Sequence, residues 1–386
     1  MSFEPKRSRG AAGVAGRGER RSREPRAELI PGEARAELDP NSLSTRDESL
    51  PAAYSERLEK LSLAPLWAAL HVLLPNERVT RVVPHHWRWA ELREPLLESA
   101  RLVGIEQAER RVLVLCNPGL PGAYAATATL YAGLQIILPG ESAPSHHHTP
   151  AALRLVVEGR GAYTTVDGVK CAMEPGDLII TPPMRRHDHG HEGSEPVIWL
   201  DGLDIPLVRN LDASWASKMR PAKAPTTGTD SSQDEFTAAG LVPRRSRYEE
   251  TGFPQVRWPW RAVRAALAAM AATAPAGAPV VLRHVNPRTG DFPLRTMGSE
   301  AHWLKPGEAA RAERRTGSGV FYVIEGRGQT RIGETTVSWE AGDCFVAPPW
   351  HWIEHSNRSG SPACLFHFND EAALRALGLW HEETRV

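Results

Sequence analysis

Six of the chain's 15 histidines lie between His146 and His191, and their spacing is typical of a metal site. His146 and His148 stand two residues apart in a stretch that alternates like a β-strand, so both side chains point to one face. His187 follows on a later strand, and two neighbouring strands can therefore aim three imidazoles at one point. Imidazole suits zinc, copper, iron and nickel, and open positions suit non-haem iron and its oxygen chemistry.

The predicted ligand set contains no carboxylate, because no Asp or Glu lies between His148 and Arg154. Three neutral imidazoles leave a divalent cation with its full charge and a free face. Such a centre favours an anionic substrate that chelates the metal. The alternative is that the histidines are incidental loop residues, and a third histidine on a second strand disfavours it.

The segment around the histidines is predicted to be β-structure. Leucine and valine alternate over residues 153–157, and Asp167-Gly168 is a dipeptide that fits a tight two-residue hairpin. Gln135 lies in an apolar run, where its amide either bonds neighbouring backbone or contacts a ligand. Further strands are predicted at residues 111–116, 126–138, 177–181 and 197–200, and from 280 onward.

The 386 residues divide into five predicted segments. Residues 1–52 form an Arg-rich tail that cannot bury enough apolar surface to order itself, and a solvated tail is favoured over one that binds RNA or an acidic partner. Residues 54–103 have a helical pattern, and these helices are expected to cover a sheet or an oligomer interface. The segments are a tail at 1–52, helices at 53–104, a histidine-bearing β-domain at 105–212, a linker at 213–258, and a helix followed by a second β-domain at 259–386.

Composition narrows the class of protein. The formal net charge is zero, so no global field favours nucleic acid or an acidic membrane surface. The four cysteines show no CxxC spacing, and no apolar run is long enough to cross a bilayer. We therefore expect a cytoplasmic protein with no nucleic-acid partner and no membrane association.

An internal repeat predicts two similar β-domains. Residues 156–161 (VVEGRG) match 323–328 (VIEGRG), and the turn PGD at 175–177 matches AGD at 341–343. Counting from these anchors, the three histidines correspond to Glu313, Arg315 and Ile353 in the second copy. The second domain has thus lost all three ligands and is interpreted as a scaffold, so the fold itself does not require the histidines.

Several motifs together resemble the cupin superfamily, and in their arrangement the bicupin gentisate 1,2-dioxygenases, with relatives acting on salicylate and 1-hydroxy-2-naphthoate. The motifs are RRVLVLCNPGL, GLQIILPGESAPSHHH, ALRLVVEGRGAYTTVDG, PGDLIITPP, HDHG and WLDGLDIPLV. The resemblance covers residues 55–380. It implies a mainly β fold of two cupin barrels preceded by N-terminal helices, and a homotetramer.

The resemblance also implies roles for individual residues. His146, His148 and His187 correspond to the ligands of one Fe(II) per subunit. The positions that line the family's substrate pocket correspond to Arg110, Gln135, Arg154, His189 and Asp201. Three of these are predicted to be catalytic, namely Arg154, His189 and Asp201.

Physical chemistry supports these roles. Arg154 lies an even number of residues after His146 and points inward on a regular strand, where its guanidinium can pair with a carboxylate or phenolate. His189 titrates near neutrality and suits proton transfer, or it orients a metal ligand. Asp201 orients that histidine, accepts a substrate hydroxyl, or is a plain turn residue.

The sequence departs from the family's pattern at three places. His147 stands where an arginine is usual, and its side chain is expected to face away from the metal. Tyr131 replaces a common tryptophan of the pocket. Met184-Arg185-Arg186 replaces an aromatic segment, and Arg185 is predicted to face the pocket and add a cation for a further anionic or hydroxyl group.

These features predict an Fe(II)-dependent dioxygenase that inserts both atoms of O2 into gentisate (2,5-dihydroxybenzoate), between the carboxylate- and hydroxyl-bearing carbons, to give maleylpyruvate. The same chemistry on 1-hydroxy-2-naphthoate, salicylate or a substituted hydroxybenzoate is the alternative within the class. A zinc-dependent isomerase and a non-enzymatic bicupin binding protein are the alternatives from other classes. The missing carboxylate ligand disfavours the isomerase.

Overall fold

The computed structural model describes residues 49–230 and 255–385, which fall into two compact units, Met1–Leu74 and Pro75–Val386. The described part of the first unit contains two helices, α1 (Ala52–Lys60) and α2 (Leu66–Leu73). Among the described helices of both units, none has the length and apolar character needed to cross a membrane.

The second unit is dominated by β-strands, with a few helices. The helices are α3 (Trp89–Leu102), α4 (Ile105–Ala108), α5 (Ile205–Asn210), α6 (Trp260–Thr273) and α7 (Glu371–Ala376). The first strands are β1 (His85–Trp87), β2 (Arg111–Val114), β3 (Tyr131–Ile137), β4 (Ser142–His148), β5 (Ala152–Glu158), β6 (Ala162–Val166), β7 (Val169–Ala172), β8 (Leu178–Thr181), β9 (His187–His191), β10 (Val197–Leu203), β11 (Ala216–Lys218) and β12 (Gly228–Thr229). The remaining strands are β13 (Arg257–Trp258), β14 (Val280–Arg283), β15 (Gly298–Leu304), β16 (Glu313–Arg315), β17 (Gly319–Glu325), β18 (Arg327–Ile332), β19 (Thr335–Glu340), β20 (Cys344–Ala347), β21 (Ile353–Ser356), β22 (Ala363–Asn369) and β23 (Glu382–Thr384).

The strands form two barrels of two sheets each. The first barrel contains the sheets β13-β8-β5-β10-β3-β2 and β11-β4-β9-β6-β7-β12, and the second contains β1-β20-β17-β22-β15-β14 and β19-β18-β21-β16-β23. Neighbouring strands are antiparallel except for the pair β12–β7. The prediction of a mainly β, two-barrel fold preceded by helices is therefore confirmed.

The predicted Asp167-Gly168 hairpin joins β6 to β7. Both turn residues have positive φ, 44° and 86°, as a type I′ turn requires. Asp tolerates this conformation and Gly adopts it without strain. The turn fixes the register of β6, which pairs on its other side with β9, the strand that carries His187.

One short strand is added to the edge of a sheet in each barrel. The helix that follows this strand in the sequence packs on the other barrel. β1 pairs with β20 of the second barrel, and the following helix α3 packs on β2 and β3 of the first. In the same way β13 pairs with β8 of the first barrel, and α6 packs on β14 and β15 of the second. The two barrels are therefore interlocked through these strands.

The repeated turns PGD and AGD anchor those helices. The Asp177 carboxylate accepts the backbone N–H of Trp260 at 2.8 Å, and the Asp343 carboxylate accepts the backbone N–H of Trp89 at 2.8 Å. Each aspartate therefore satisfies a donor at the start of the helix that follows the exchanged strand. The repeat noticed in the sequence thus serves the interlocking of the barrels.

Two secondary-structure predictions need correction. The helical interpretation of residues 54–103 is wrong at His85–Trp87, where β1 forms because β20 supplies its hydrogen-bond partners. The predicted linker also contains strands, since β11 pairs with the histidine strand β4 and β12 with β7. Three-residue strands carry no periodic signal, so only the partner strand reveals them. The predicted tail, up to residue 48, and residues 231–254 lie outside the described residues, and the segment boundaries stay predictions.

A three-histidine metal centre and its pocket

Two adjacent strands of the first barrel bring the three histidines together. His146 and His148 lie on β4, and His187 on β9 pairs directly with His146. His146 is 6% exposed and His187 is fully buried. The nitrogen atoms that these residues offer to a metal all lie within 4.8 Å of one another.

Backbone carbonyl groups orient all three imidazoles. In each histidine Nδ1 donates to a carbonyl oxygen two residues away, so Nε2 carries the lone pair and is free for a metal. The bonds run from His146 to Pro144 (3.0 Å), from His148 to Pro150 (2.7 Å) and from His187 to Arg185 (2.9 Å). The Nε2 of His187 is buried without a hydrogen-bond partner among the described residues. A buried lone pair in this position fits a metal ion.

The three candidate ligands are neutral. Burial lowers the pKa of His146 to about 3 and that of His148 to about 4, and it moves the pKa of His187 well below its ordinary value. The charges of Arg110 and Arg154 lower the pKa of the first two further. Because neutral imidazole is the form that binds a metal, the site is prepared to bind one without losing protons.

Arg154 points into the barrel from β5, as its even spacing from His146 predicts. Its side chain is 4% exposed, and its Nη1 donates to Thr181 Oγ1 at 2.6 Å. Its Nε lies 3.3 Å from Asp201 Oδ1. Burial lowers the pKa of Arg154, and the charge of Asp201 opposes this effect. The guanidinium is thus fixed in place beside the histidines.

The structure distinguishes Arg110 from its neighbour Arg111. Burial lowers the pKa of Arg110, and the charge of Asp201 opposes this. Arg111 instead pairs with Glu141 and donates to the carbonyl of Val103. The charge of Arg110 lowers the pKa of His146 and His148, so Arg110 lies near the histidines, and its role as a substrate contact stays a prediction.

Asp201 lies within β10, directly opposite Arg154 on β5 and Gly133 on β3. The alternative that it is a turn residue is therefore wrong. Burial raises the pKa of Asp201 to about 6, while Arg154, the Trp199 indole and Arg110 act to lower it. A carboxyl group with this pKa changes its charge close to physiological pH.

His189 is buried two residues after His187, with its ring centroid 5.9 Å from that of His187. Its Nδ1 lies 2.9 Å from Thr164 Oγ1. The expectation that it titrates near neutrality is wrong, because burial and the charges of Arg154 and Arg110 lower its pKa well below the ordinary value. His189 is therefore a neutral hydrogen-bonding group.

Two side chains of β3 also border this region. The Nε2 of Gln135 is buried and has no hydrogen-bond partner among the described residues, which favours a ligand contact over the backbone bond. The Tyr131 hydroxyl lies so close to Gly133 that a side chain at position 133 would collide with it. Burial and the charge of Asp201 raise the pKa of Tyr131, so its hydroxyl stays a proton donor.

Arg185 and His147, the remaining positions discussed from the sequence, lie next to the three histidines in the chain. Arg185 is paired with Asp167 at 3.2 Å, and both side chains are 32% exposed. Its backbone carbonyl contacts the metal centre, because it accepts the hydrogen bond from His187 Nδ1. His147 faces away as expected, with Nδ1 3.2 Å from Met219 Sδ.

Sequence reasoning passed over Thr164 and Thr181, whose hydroxyl groups orient His189 and Arg154. A single threonine in a strand looks like any other β-branched strand residue. The repeat did contain a signal for Thr164, because Thr330 stands at the equivalent position and its Oγ1 lies 2.8 Å from His355 Nδ1.

The second barrel lacks the first barrel's ligands at the equivalent positions, as predicted. Glu313 pairs directly with Ile353, as His146 pairs with His187. A different group of potential ligands, Glu300, His302 and His367, lies elsewhere in that barrel. Position-by-position comparison with the first barrel could not find it.

Comparison with known proteins agrees with this architecture. The cupin domain family matches residues 133–203 and 303–369. A gentisate 1,2-dioxygenase from a Ralstonia species is 43% identical over 87% of this chain and 95% of its own length. A 5-aminosalicylate 1,2-dioxygenase from a Comamonas species is 35% identical over 86% of this chain and 89% of its own length. The crystal structure of salicylate 1,2-dioxygenase from Pseudoaminobacter salicylatoxidans with gentisate has a TM-score of 0.80, at 31% identity over 90% of this chain and 98% of that chain.

Two cupin barrels, with a three-histidine centre in the first, define the protein as a bicupin ring-cleavage dioxygenase. The histidine cluster fits the metal on which this class of enzyme depends. The chain belongs to the gentisate 1,2-dioxygenase family.

Proposed function

We propose that the protein is an Fe(II)-dependent dioxygenase that cleaves gentisate between its carboxylate- and hydroxyl-bearing carbons to give maleylpyruvate. The observation that carries the proposal is the convergence of three neutral imidazoles beside two buried arginines. A neutral ligand set leaves the metal's charge for the substrate, and the arginines complement a carboxylate. The same centre suits an anionic, chelating aromatic acid better than a neutral substrate.

His146, His148 and His187 would hold the iron, which when bound brings the substrate and O2 together and supplies the redox chemistry. Imidazole ligands with open positions are typical of iron used for oxygen chemistry, whereas a zinc isomerase usually has a carboxylate ligand. The absence of a carboxylate among the three clustered ligands supports iron over zinc. One iron per subunit at this centre follows from the proposal.

The chain's own groups bind and orient the substrate. Arg154, fixed by Thr181 and Asp201, and Arg110 bind the carboxylate. Gln135 supplies a buried amide nitrogen, Nε2, which has no hydrogen-bond partner among the described residues. Holding the acid in one orientation lowers the entropic barrier of the ring-opening step.

Asp201 and His189 act on the substrate's hydroxyl groups. Ionised Asp201 accepts a hydrogen bond from a hydroxyl, and its pKa of about 6 allows it to hold a proton for part of the cycle. Neutral His189 binds a substrate oxygen through Nε2, because Nδ1 is engaged by Thr164. These two residues, with Arg154, are the proposed catalytic groups.

Gentisate is preferred to salicylate and 1-hydroxy-2-naphthoate as the substrate. The 43% identity to a gentisate enzyme supports this choice. The Tyr131 hydroxyl supports it too, because it adds a polar group beside the pocket that a second ring hydroxyl can meet. Salicylate, 1-hydroxy-2-naphthoate and substituted hydroxybenzoates such as 5-aminosalicylate are the alternatives, since the chain is similar to enzymes named for them.

The experiment is an oxygen-electrode screen of hydroxybenzoates and hydroxynaphthoates with enzyme loaded anaerobically with Fe(II). We expect the highest kcat/KM with gentisate and equal molar consumption of O2 and substrate. A higher kcat/KM with another aromatic acid would replace gentisate as the substrate. No oxygen uptake with any of them, or activity with zinc in place of iron, would contradict the proposed chemistry.

We also propose that the enzyme is a cytoplasmic homotetramer. Support comes from α2, where Leu66, Trp67, Leu70 and Leu73 are exposed although they are large and apolar. Light scattering of the purified chain gives the subunit number directly. A monomer would contradict this part of the proposal and leave the chemistry untouched.

A further inference from the structure

The second barrel contains a ligand pattern like that of the first, on a different pair of strands. Glu300 and His302 lie two residues apart on β15, so both side chains point to one face. His367 on β22 pairs directly with Glu300. In the first barrel the ligands are arranged in the same way, with His146 paired across strands to His187.

The equivalent strands of the first barrel show why this group is unexpected. There, β3 and β10 place Gly133 opposite Asp201, with Gln135 two residues further along β3. The second barrel therefore carries its cluster where the first barrel has pocket residues rather than metal ligands. The cluster is not a remnant of the first barrel's centre.

The distances within the cluster suit one metal ion. Glu300 Oε2 lies 3.6 Å from His302 Nε2 and accepts a hydrogen bond from His367 Nδ1 at 3.0 Å, whose proton a bound metal ion would displace. Two ligand atoms, each about 2.1 Å from a shared ion, are separated by about 3.0 Å at a right angle and about 3.4 Å at a tetrahedral angle. The observed separations match both geometries, and all the ligand atoms lie within 4.8 Å of one another.

The cluster contains a buried nitrogen without a partner. His302 is 4% exposed, and its Nε2 makes no hydrogen bond to the described residues, since 3.6 Å to Glu300 is too long for one. A buried polar atom without a partner costs about 1–3 kcal/mol. Binding of a cation at Nε2 would remove that cost.

The other ligands are held in place by their surroundings. The His367 ring stacks on Phe321 at a centroid distance of 4.1 Å, and its Nε2 side fits closely over Gly319, where a side chain would collide. Glu300 is 7% exposed and is also contacted by Arg283 at 3.5 Å and by Arg315 at 3.8 Å. The ligands are thus preorganised, as a metal site requires.

The positive charge of nearby arginine side chains opposes the binding of a cation at this cluster. The charged groups around the three histidines of the first barrel provide a comparison. Arg315 is itself paired with Glu313, so its charge is largely neutralised. The first centre has three uncharged ligands beside Arg110 and Arg154, with Asp201 as the nearby carboxylate. The second cluster also lies beside two arginines, but its ligands include a carboxylate, which attracts a divalent cation directly.

We propose that Glu300, His302 and His367 form a second metal site that binds one divalent transition-metal ion of the iron and zinc class. Two imidazoles and one carboxylate are ligands that these ions accept. The rings of Phe321 and His355 pack against the ligand histidines, and such an enclosed position favours a structural role for the ion. The site is independent of the proposed substrate chemistry in the first barrel.

The test measures metal bound per full-length chain. Chelator-treated protein is reloaded anaerobically with Fe(II) or, in a separate sample, Zn(II), then desalted and analysed by mass spectrometry for metal content. We expect two metal ions per chain in the wild type and one in His302→Gln, which introduces the residue found at the equivalent position of the first barrel. His187→Ala also binds one, and the double variant binds none.

The controls keep the outcomes separate. His351→Gln changes a partly exposed histidine of the same barrel and should still bind two ions. Glu300→Gln, which removes a charge without changing shape, should bind one ion and serves if His302→Gln does not fold by circular dichroism. One ion per chain in the wild type, or two in both cluster variants, would overturn the proposal. Oxygen uptake with gentisate should persist in His302→Gln, so failure of this site does not resemble failure of the proposed function.

Discussion

Arg154 and Asp201 face each other at directly paired positions of β5 and β10, with Nε and Oδ1 3.3 Å apart and both residues less than a tenth exposed. The desolvation cost of a buried ion pair of this kind offsets its electrostatic attraction, so the pair contributes little net free energy of folding. Its position beside the metal centre supports the proposal that Arg154 binds the substrate. The guanidinium is held by Thr181 and Asp201 with its charge directed toward the histidines.

Replacement of Arg154 by glutamine should weaken substrate binding and leave the metal in place. A hydrogen bond to a charged group contributes about 1.5–3 kcal/mol, so we expect KM for gentisate to rise about 10-fold or more. Steady-state kinetics and iron analysis of Arg154→Gln measure both effects. The control is Arg160→Gln, since Arg160 is 72% exposed and pairs only with Glu174 among the described contacts. Unchanged KM in Arg154→Gln would remove this residue from the pocket.

Activity should fall on the acid side as Asp201 takes up a proton. Its pKa is raised to about 6, so ionised Asp201 predominates above this pH and protonated Asp201 below it. We expect kcat/KM for gentisate to decrease below pH 6 in the wild type. The variant Asp201→Asn should be less active and should lack this decrease on the acid side of its pH profile.

The loss of activity below pH 6 cannot result from unfolding caused by the protonation of Asp201. Because the pKa of Asp201 is higher in the folded than in the unfolded protein, the ionised form costs stability above pH 6, and the cost disappears as the pH falls toward 4. Tm measured across the same range separates the two effects. A limb at pH 6 that persists in Asp201→Asn would assign the titration to another group.

The hydroxyl of Thr164 should matter for catalysis through His189. In Thr164→Val the Nδ1 of His189 loses its partner, so the ring is no longer fixed in one orientation. Loss of such an orienting contact typically costs 10–100-fold, and we expect kcat to fall within that range while iron content is retained.

The second barrel provides a matched control for this substitution. Thr330 contacts His355 at 2.8 Å, as Thr164 contacts His189 at 2.9 Å. Thr330 also accepts the indole N–H of Trp339 at 2.8 Å, so Thr330→Val should lower Tm at least as much as Thr164→Val does and leave kcat unchanged. Equal loss of kcat in both variants would indicate a general packing effect.

Arg185 stays a proposed substrate contact. To bind its guanidinium, a substrate group must compete with Asp167, which forms an ion pair with it. That pair is one-third exposed, so it contributes less than about 1 kcal/mol, and an anionic or hydroxyl group of a substrate can compete for the guanidinium. We expect Arg185→Ala to lower the ratio of gentisate to salicylate turnover about 3-fold. Unchanged ratios across gentisate, salicylate and 1-hydroxy-2-naphthoate would reject the contact.

The sequence predicted the centre well because its signal is local. Two histidines at i and i+2 share a strand face, and His187 on the later strand β9 pairs directly with His146 on β4. The repeat then predicted the two barrels. The shared face of His146 and His148 follows from strand alternation alone.

Features that depend on distant partners could not be predicted. The strand His85–Trp87 forms because β20, more than 250 residues away, supplies its partner groups. The pKa of His189 depends on burial and on two arginines from other elements, so its ordinary value was a poor guide. The Glu300 cluster lies at positions where the first barrel has no ligands, and the repeat comparison passed over it.

The most direct test of the central claim compares four neighbouring histidines. His146→Ala, His148→Ala and His187→Ala each remove one Nε2 from the centre, whereas His147→Ala removes a side chain that faces Met219 on the other side of the strand. The measurement is oxygen uptake with gentisate after anaerobic loading with Fe(II). We predict that the first three variants lose uptake together with one equivalent of iron, and that His147→Ala retains both. Uptake that survives in any of the first three, or that is lost equally in all four, would contradict the account.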